Sequence, residues 1–479
     1  MRVALLSVVV VVACGGTAKP SEPPKAKVGD LGVDIPNLSA QLPPFIDSVG
    51  AGDPLRTFSG YLLVAQHDQI VWRGAYGLAD RGKQRVPTAD TSFRIGSVTK
   101  QFTATAILRL EQDGKLKVTD KVSQHLPGYQ GPAKDVTLHQ LLTHTAGIPN
   151  YTADLAILAR KAEKLTPAQL IAMFEDKPLE FPPGTKFSYS NSGYVVLGAI
   201  IERVTGRSYA AYLDQAIFKP AGLAHTVVGD DPGAPDRAEG YQIADGKIAP
   251  ADLIDMTVPY AAGAIRSTAM DLMKWHRVLS GDTILDAAHR AKLYQPALDH
   301  YAYAWVEQRI RDRPTVWHNG GIDGFGTIYW RVPEADLVVV GWTNVLGVDV
   351  DQIGKAAVEA ALGGKLEPVK KLEKGAVDPA IVARLSGVFE LSAEMKAKLS
   401  KLPQDLVDSI TTLEITPTNT GVKIKPNGQS EVELSPLADG SFFNSDHQIK
   451  LVFETAVPGP IASVRLEQGP LKITYQRKP

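Results

Sequence analysis

Cysteine is almost missing from this chain of 479 residues, and Cys14 stands alone. One cysteine cannot close an internal disulfide, and it excludes thiolate zinc sites and iron–sulfur clusters within the chain. Net charge is nearly missing too. Lys plus Arg number 51 and Asp plus Glu 52, which leaves −1. Without an overall basic field, nothing points to a nucleic-acid partner. No apolar run reaches the roughly 20 residues that a membrane-spanning helix needs. His139 and His144 are present without a His-Glu-x-x-His pattern, so no metal is expected. The glycine-rich run from Gly321 to Gly326 leads into a strand-like segment rather than a helix, which argues against a dinucleotide fingerprint. There is no phosphate-binding loop, and no cofactor is expected. The 33 prolines and 42 glycines are dispersed, which excludes collagen-like and low-complexity classes.

What is present begins at the first residues. Met1-Arg2 is a short positive start, and Ala4 to Val12 is almost wholly apolar. That length suits a secretory leader rather than a membrane span. Val11-Val12-Ala13-Cys14-Gly15 resembles a bacterial lipobox, which implies lipidation at Cys14 and a membrane contact through that anchor. The expected address is the bacterial cell envelope. Residues 1–13 read as the lipoprotein signal and 14–34 as a Pro-, Lys- and Gly-rich tether.

Residues 35–365 mix strand and helix signals. Ser59 to His67 and Ile70 to Tyr76 read as a hairpin, Ser97 to Asp113 as a helix stopped by Gly114. Helical runs follow at Ser192 to Val204, Ala210 to Phe218 and Thr268 to Leu279. Strands are expected at Tyr303 to Ile310, Thr315 to Trp317, Gly326 to Val332 and Leu337 to Thr343, and a closing helix at Val350 to Leu362. Short links between those strands imply antiparallel pairing. The fold class is α/β: one antiparallel sheet built from both ends of the segment and flanked by helices. Residues 366–378 read as a linker, and 379–479 as a small all-β, barrel-like module of short alternating runs.

The chemistry concentrates in three places. In Phe93-Arg94-Ile95-Gly96-Ser97-Val98-Thr99-Lys100, Ser97 and Lys100 lie one helical turn apart on one side. A serine hydroxyl needs a base to become a nucleophile, and a neighbouring lysine can serve. The helix N-terminus offers backbone N–H groups to a developing oxyanion. Tyr189-Ser190-Asn191 follows the turn-rich Phe181-Pro182-Pro183-Gly184, so these side chains are expected on a loop. Nearby cations would depress the tyrosine pKa and make it a usable base. His318-Asn319-Gly320-Gly321 is expected to end the strand carrying Trp317, with glycines that let a substrate approach. Trp317 beside it is a candidate cleft residue, whereas Trp72, Trp305 and Trp342 read as core.

In that order, Ser97-Val98-Thr99-Lys100, Tyr189-Ser190-Asn191 and His318-Asn319-Gly320 resemble the three motifs of the serine β-lactamase and penicillin-binding-protein superfamily. The Tyr-x-Asn form points to the branch with class C β-lactamases, D-alanyl-D-alanine carboxypeptidases and related esterases. Leu141 to Pro149 and Ala262 to Thr268 resemble that branch as well. The resemblance covers roughly residues 40–365 and implies a sheet domain, a helical subdomain and a site between them. It implies Ser97 as acylated nucleophile and Lys100 with Tyr189 as general base. It further implies Asn191 as substrate-positioning amide, with Ser97 and Gly321 N–H groups as oxyanion hole. His318 stands where antibiotic-hydrolysing relatives usually carry lysine. Its ordinary pKa near 6.5 leaves it mostly neutral, so carboxylate recognition should weaken. The expectation is a serine hydrolase that acts through an acyl-enzyme on an ester, amide or D-amino-acid peptide, a small molecule or peptide of the envelope. A β-lactamase or D-alanyl-D-alanine carboxypeptidase proper is the alternative, and so is a non-catalytic binding lipoprotein.

Overall fold

Strands with apolar residues at every position must be covered on both faces. Leu337–Thr343 (β6) is such a strand, buried from end to end. Because side chains alternate, Val338, Val340 and Trp342 join one hydrophobic cluster while Leu337 and Val339 join another. Gly60–Gln66 (β1) divides in the same way, with Tyr61 and Leu63 on one side and Leu62 and Val64 on the other.

The computed structural model describes residues 32–478, save for 51–52, 231–235, 245, 370–371, 400–403, 445–448, 454–458 and 469–470. The predicted leader, Cys14 and all but the end of the tether lie outside the described residues. Among the described residues, no helix is long and apolar enough to cross a membrane. The chain divides into two compact units, one within residues 23–369 and one over 370–479.

In the larger unit, six antiparallel strands form one sheet. They are β1, Gln69–Tyr76 (β2), Val306–Ile310 (β3), Arg313–Ile322 (β4), Phe325–Val332 (β5) and β6, in the spatial order β2-β1-β6-β5-β4-β3. The register Gly60↔Thr343 closes the first strand onto the last, so both ends of this unit build one sheet. Ile35–Ser48 (α1) and Val350–Ala361 (α5) cover one face through Leu38, Leu42, Ile353 and Ala357. On the other face lie Thr99–Gln112 (α2), Asn191–Thr205 (α3) and Ala269–Ser280 (α4), with the larger cluster around Phe102, Tyr194 and Trp275. This is the α/β architecture that the sequence implies. α1 escaped the sequence reading, since Pro43 and Pro44 inside it obscure its helical period.

One expectation changes. β4 does not stop at Trp317 but runs on to Ile322, because β5 pairs with it as far as Ile322↔Phe325. The neighbour on its other side does stop, with β3 ending opposite Trp317 at Val306. His318-Asn319-Gly320-Gly321 therefore lies within a strand that has lost its outer partner. Trp317 does not enter a cleft either. It stacks on Trp330, 4.8 Å between centroids, beside the cluster beneath α1 and α5.

The smaller unit is a closed barrel of eight antiparallel strands, paired in chain order from Gly387–Leu391 to Leu471–Arg477. Alternate positions such as Leu413, Ile415, Val422 and Ile424 turn inward and form a single cluster. The sequence reading missed its first strand, the short Phe442–Asn444 and the helices Pro379–Leu385, Ala393–Leu399 and Gln404–Ser409.

Candidate active site

Ser97 sits in the short turn Gly96–Val98 that leads into α2. Two bonds fasten that turn. Ile95 N–H donates to Ile265 O at 3.0 Å, and Ile265 N–H donates to Thr99 Oγ1 at 3.1 Å. Gly96 has φ +51°, the left-handed region that favours glycine, and a Cβ there would lie 3.0 Å from Gly321 N and O. A Cβ on Gly320 would lie 2.0 Å from Ile95 O and 3.0 Å from Ser97 N. The two glycines thus let β4 press against the turn. This brings the backbone of Gly320 and Gly321 against that of Ser97, beside an N-terminus whose first N–H groups lack helical partners.

Lys100, the second residue of α2 and three after Ser97, is fully buried. Its Nζ lies 3.1 Å from Ser97 Oγ, 2.8 Å from Asn191 Oδ1 and 2.8 Å from Ala262 O. The rings of Tyr189 and Tyr194 flank it, with centroids 4.9 and 5.4 Å away. All three polar neighbours are uncharged. Burial therefore holds the amine well below its ordinary pKa. A neutral amine has two N–H bonds and one lone pair. Asn191 Oδ1 and Ala262 O can only accept, so they take the two N–H bonds. The lone pair is left facing the Ser97 hydroxyl.

Asn191 opens α3, while Tyr189 and Ser190 remain on the loop before it. Asn191 Nδ2 donates to Thr152 Oγ1 at 3.1 Å, which fixes its amide with the oxygen toward Lys100. The loop is braced by the 144–147 segment, where Ser188 N–H donates to His144 O and Gly184 N–H to Thr145 O. Tyr189 Oη is buried without a partner of ordinary hydrogen-bond geometry. The sequence led us to expect cations to depress its pKa. Burial instead pushes it up, against a smaller pull from the Ser97 hydroxyl. The cation expected beside it, Lys100, is itself pushed toward its neutral form by burial.

His318 is 4% exposed. Its Nε2 lies 2.9 Å from Tyr301 Oη and its Nδ1 2.6 Å from Asn319 O. His144 Nε2 lies 3.2 Å from the same Tyr301 Oη. Burial first, and then Lys100, drives the His318 pKa down to about 3. On the opposite face of β4, Asn319 Nδ2 donates to Asp351 Oδ2 at 2.6 Å. A cavity of about 170 Å³ lies there, walled by Asn319, Gly320, Gly321, Asp349 and Asp351 among others.

Sequence reasoning missed Tyr301, whose only signal was the aromatic run Tyr301-Ala302-Tyr303-Ala304-Trp305. It also missed Ala262 O, a backbone atom without any side-chain signature. Among the described residues, no group of His, Cys, Asp and Glu is arranged to hold a metal ion.

Comparison with known proteins gives this arrangement its lineage. The profile of the Beta-lactamase family matches residues 53–363. Penicillin-binding protein 4* of Bacillus subtilis (strain 168) is 26% identical over 440 residues, covering 86% of this chain and 93% of that protein. A D-stereospecific amidohydrolase from Streptomyces sp. superposes with a TM-score of 0.57 at 25% identity, covering 67% of this chain and 98% of that one. The octameric penicillin-binding protein homologue from Pyrococcus abyssi, at 22% identity, shares the fold with a TM-score of 0.62 over 92% of this chain and 100% of that one. This chain belongs to the Beta-lactamase family, as a serine hydrolase of the β-lactamase and penicillin-binding-protein-like superfamily.

Proposed function

We propose that the protein hydrolyses an ester, amide or D-amino-acid peptide of the cell envelope through an acyl-enzyme on Ser97. The observation that carries this reading is the position of Lys100 Nζ, 3.1 Å from Ser97 Oγ, with the acceptors Asn191 Oδ1 and Ala262 O each 2.8 Å away to take the two N–H bonds of its neutral form. Ser97 Oγ attacks the carbonyl carbon as its proton passes to Lys100 Nζ. The new C–O bond leaves an oxyanion, which the Ser97 and Gly321 N–H groups receive. Collapse expels the alcohol or amine, which leaves with that proton. Water then attacks the acyl carbon, gives up its proton along the same path and frees the acid. Tyr189, with its hydroxyl proton retained, is suited to relay a proton between Lys100 and the leaving group. Asn191 orients the substrate and Lys100 together, and Gly320 lets β4 close on the turn that carries Ser97. The likeness to a D-stereospecific amidohydrolase supports an amide or peptide of D configuration among the substrates.

The domain bounds 35–365 and 379–479, joined by 366–378, and lipid anchoring at Cys14 belong to the same proposal and rest on the sequence. A fluorophosphonate or fluorescent penicillin should label wild-type protein at Ser97 and leave Ser97→Ala unlabelled. Folded protein without an adduct on Ser97 sinks the proposal. Nitrocefin turnover near the diffusion limit would replace it with a dedicated β-lactamase. Cys14→Ala should release the protein from membranes, and a variant that still pellets with them refutes the anchor.

A further inference from the structure

The protons along one buried chain of hydrogen bonds are fixed by chemistry alone. Asn319 O can only accept, so His318 Nδ1 carries a hydrogen and donates to it at 2.6 Å. In the neutral ring, His318 Nε2 is then a bare lone pair. It faces Tyr301 Oη at 2.9 Å, so the tyrosine hydroxyl donates to it. At the far end, Ser190 N–H donates to His144 Nδ1 at 3.2 Å, which places the His144 hydrogen on Nε2. That N–H points at Tyr301 Oη, 3.2 Å away, and the phenol oxygen accepts it. Each donor meets one acceptor from Ser190 to Asn319, and both histidines are uncharged.

Protonating His318 breaks this order. It would aim a second ring N–H at the same phenol oxygen and turn the Tyr301 hydrogen from His318 toward Tyr194 Oη. The other groups facing the pair are Lys100, Tyr189, Tyr194 and His144. Lys100, whenever it carries its own proton, opposes charge on both histidines. Tyr194 keeps its own hydroxyl hydrogen on Leu142 O at 3.0 Å. The Tyr189 ring lies 6.3 Å from the His318 ring. Among these groups, none is a carboxylate that would stabilise an imidazolium.

We infer that Tyr301 is a specificity-determining positioning residue. By donating to His318 Nε2 it holds the third-motif histidine uncharged and saturated, so that this strand presents no cation to a substrate carboxylate. The substrate class is then an ester or amide with an uncharged group beside the scissile bond, such as an internal or amidated D-peptide. A peptide ending there in a free carboxylate is disfavoured. This inference rests on the acyl-transfer reading and narrows its substrate.

The test uses two acyl-D-alanyl thiolesters of thioglycolate, one with the free carboxylate and one as its methyl ester. Wild-type protein should prefer the methyl ester at least tenfold in kcat/KM, with a ratio that stays flat between pH 5.5 and 8. Tyr301→Phe frees His318 Nε2. It should lower that ratio severalfold, through KM of the carboxylate substrate, most strongly at pH 5.5. In wild-type protein, ¹⁵N-histidine NMR should show His318 and His144 as single neutral tautomers down to pH 5.5. A wild-type preference for the carboxylate substrate overturns the inference. So does an imidazolium signature for His318 above pH 5.5, or a Tyr301→Phe variant, folded by circular dichroism, with an unchanged ratio. If neither thiolester acylates Ser97, the hydrolase reading fails and the substrate claim falls with it, while the NMR still judges the neutral relay.

Discussion

Replacing Asp351 by asparagine should make the hydrolase unit more stable, and increasingly so as the pH rises. The carboxyl lies in the first turn of α5, where the helix N-terminus favours a negative charge. Burial outweighs that benefit and pushes its pKa from 3.8 to about 7, with Asp349 adding to the shift and Asn319 opposing it. The folded protein thus holds a proton that the unfolded chain has released between about pH 4 and pH 7. Stability falls as pH rises through that window and is level above it. At about 1.4 kcal/mol per unit, the full penalty is about 4 kcal/mol at pH 8, of which some 2–3 kcal/mol develops above pH 5. Asparagine keeps an oxygen for the Asn319 amide and carries no charge. Other titrating groups cancel in the difference between the two proteins. The six tryptophans all lie from Trp72 to Trp342, so fluorescence-detected urea unfolding reports this unit without the barrel. The stability gap, variant minus wild type, should grow by about 2–3 kcal/mol from pH 5 to pH 8. A gap that is constant, or that shrinks toward pH 8, refutes the buried carboxyl as described.

Lys100→Met should lower the rate of fluorophosphonate labelling at Ser97 by a factor of at least about 10² while the fold survives, because the base is lost and a similar volume is retained; labelling within tenfold of wild type would assign the base elsewhere. The acylation rate should rise with pH as Lys100 loses its proton, and it should level off well short of the ordinary lysine range, since burial lowers that pKa. A pH–rate profile still climbing at pH 10 would show an ordinary, charged lysine. Gly320→Ala puts a Cβ 2.0 Å from Ile95 O, so β4 must retreat from the turn that carries Ser97. Labelling and melting temperature should both drop, and an alanine variant with wild-type labelling would contradict the close approach.

Spacing along the chain explains what the sequence disclosed and what it hid. Ser97 and Lys100 share a face of one helix, so their partnership is local and legible from three-residue spacing. The strands of the sheet were legible because β1 and β6 bury both faces and carry unbroken apolar runs. The environment of each ionisable group was not legible, because it is assembled from distant segments. Lys100 looks like a cation until Asn191 and Ala262, 91 and 162 residues away, prove to be neutral acceptors. Tyr189 looks like a depressed phenol until that neighbouring cation is gone. His318 is the most instructive case. Its composition alone suggests a switchable charge near neutral pH. Burial instead drives it neutral, and its hydrogen is placed by Asn319 O and by Tyr301, 17 residues earlier and outside any motif, with His144 behind it. A change from lysine to histidine at this position is therefore larger than the loss of one permanent charge. With Tyr301 in place, the strand beside Ser97 exchanges an ion-pairing group for an uncharged wall, and the proposed preference for neutral substrates then comes from a hydroxyl outside all three motifs.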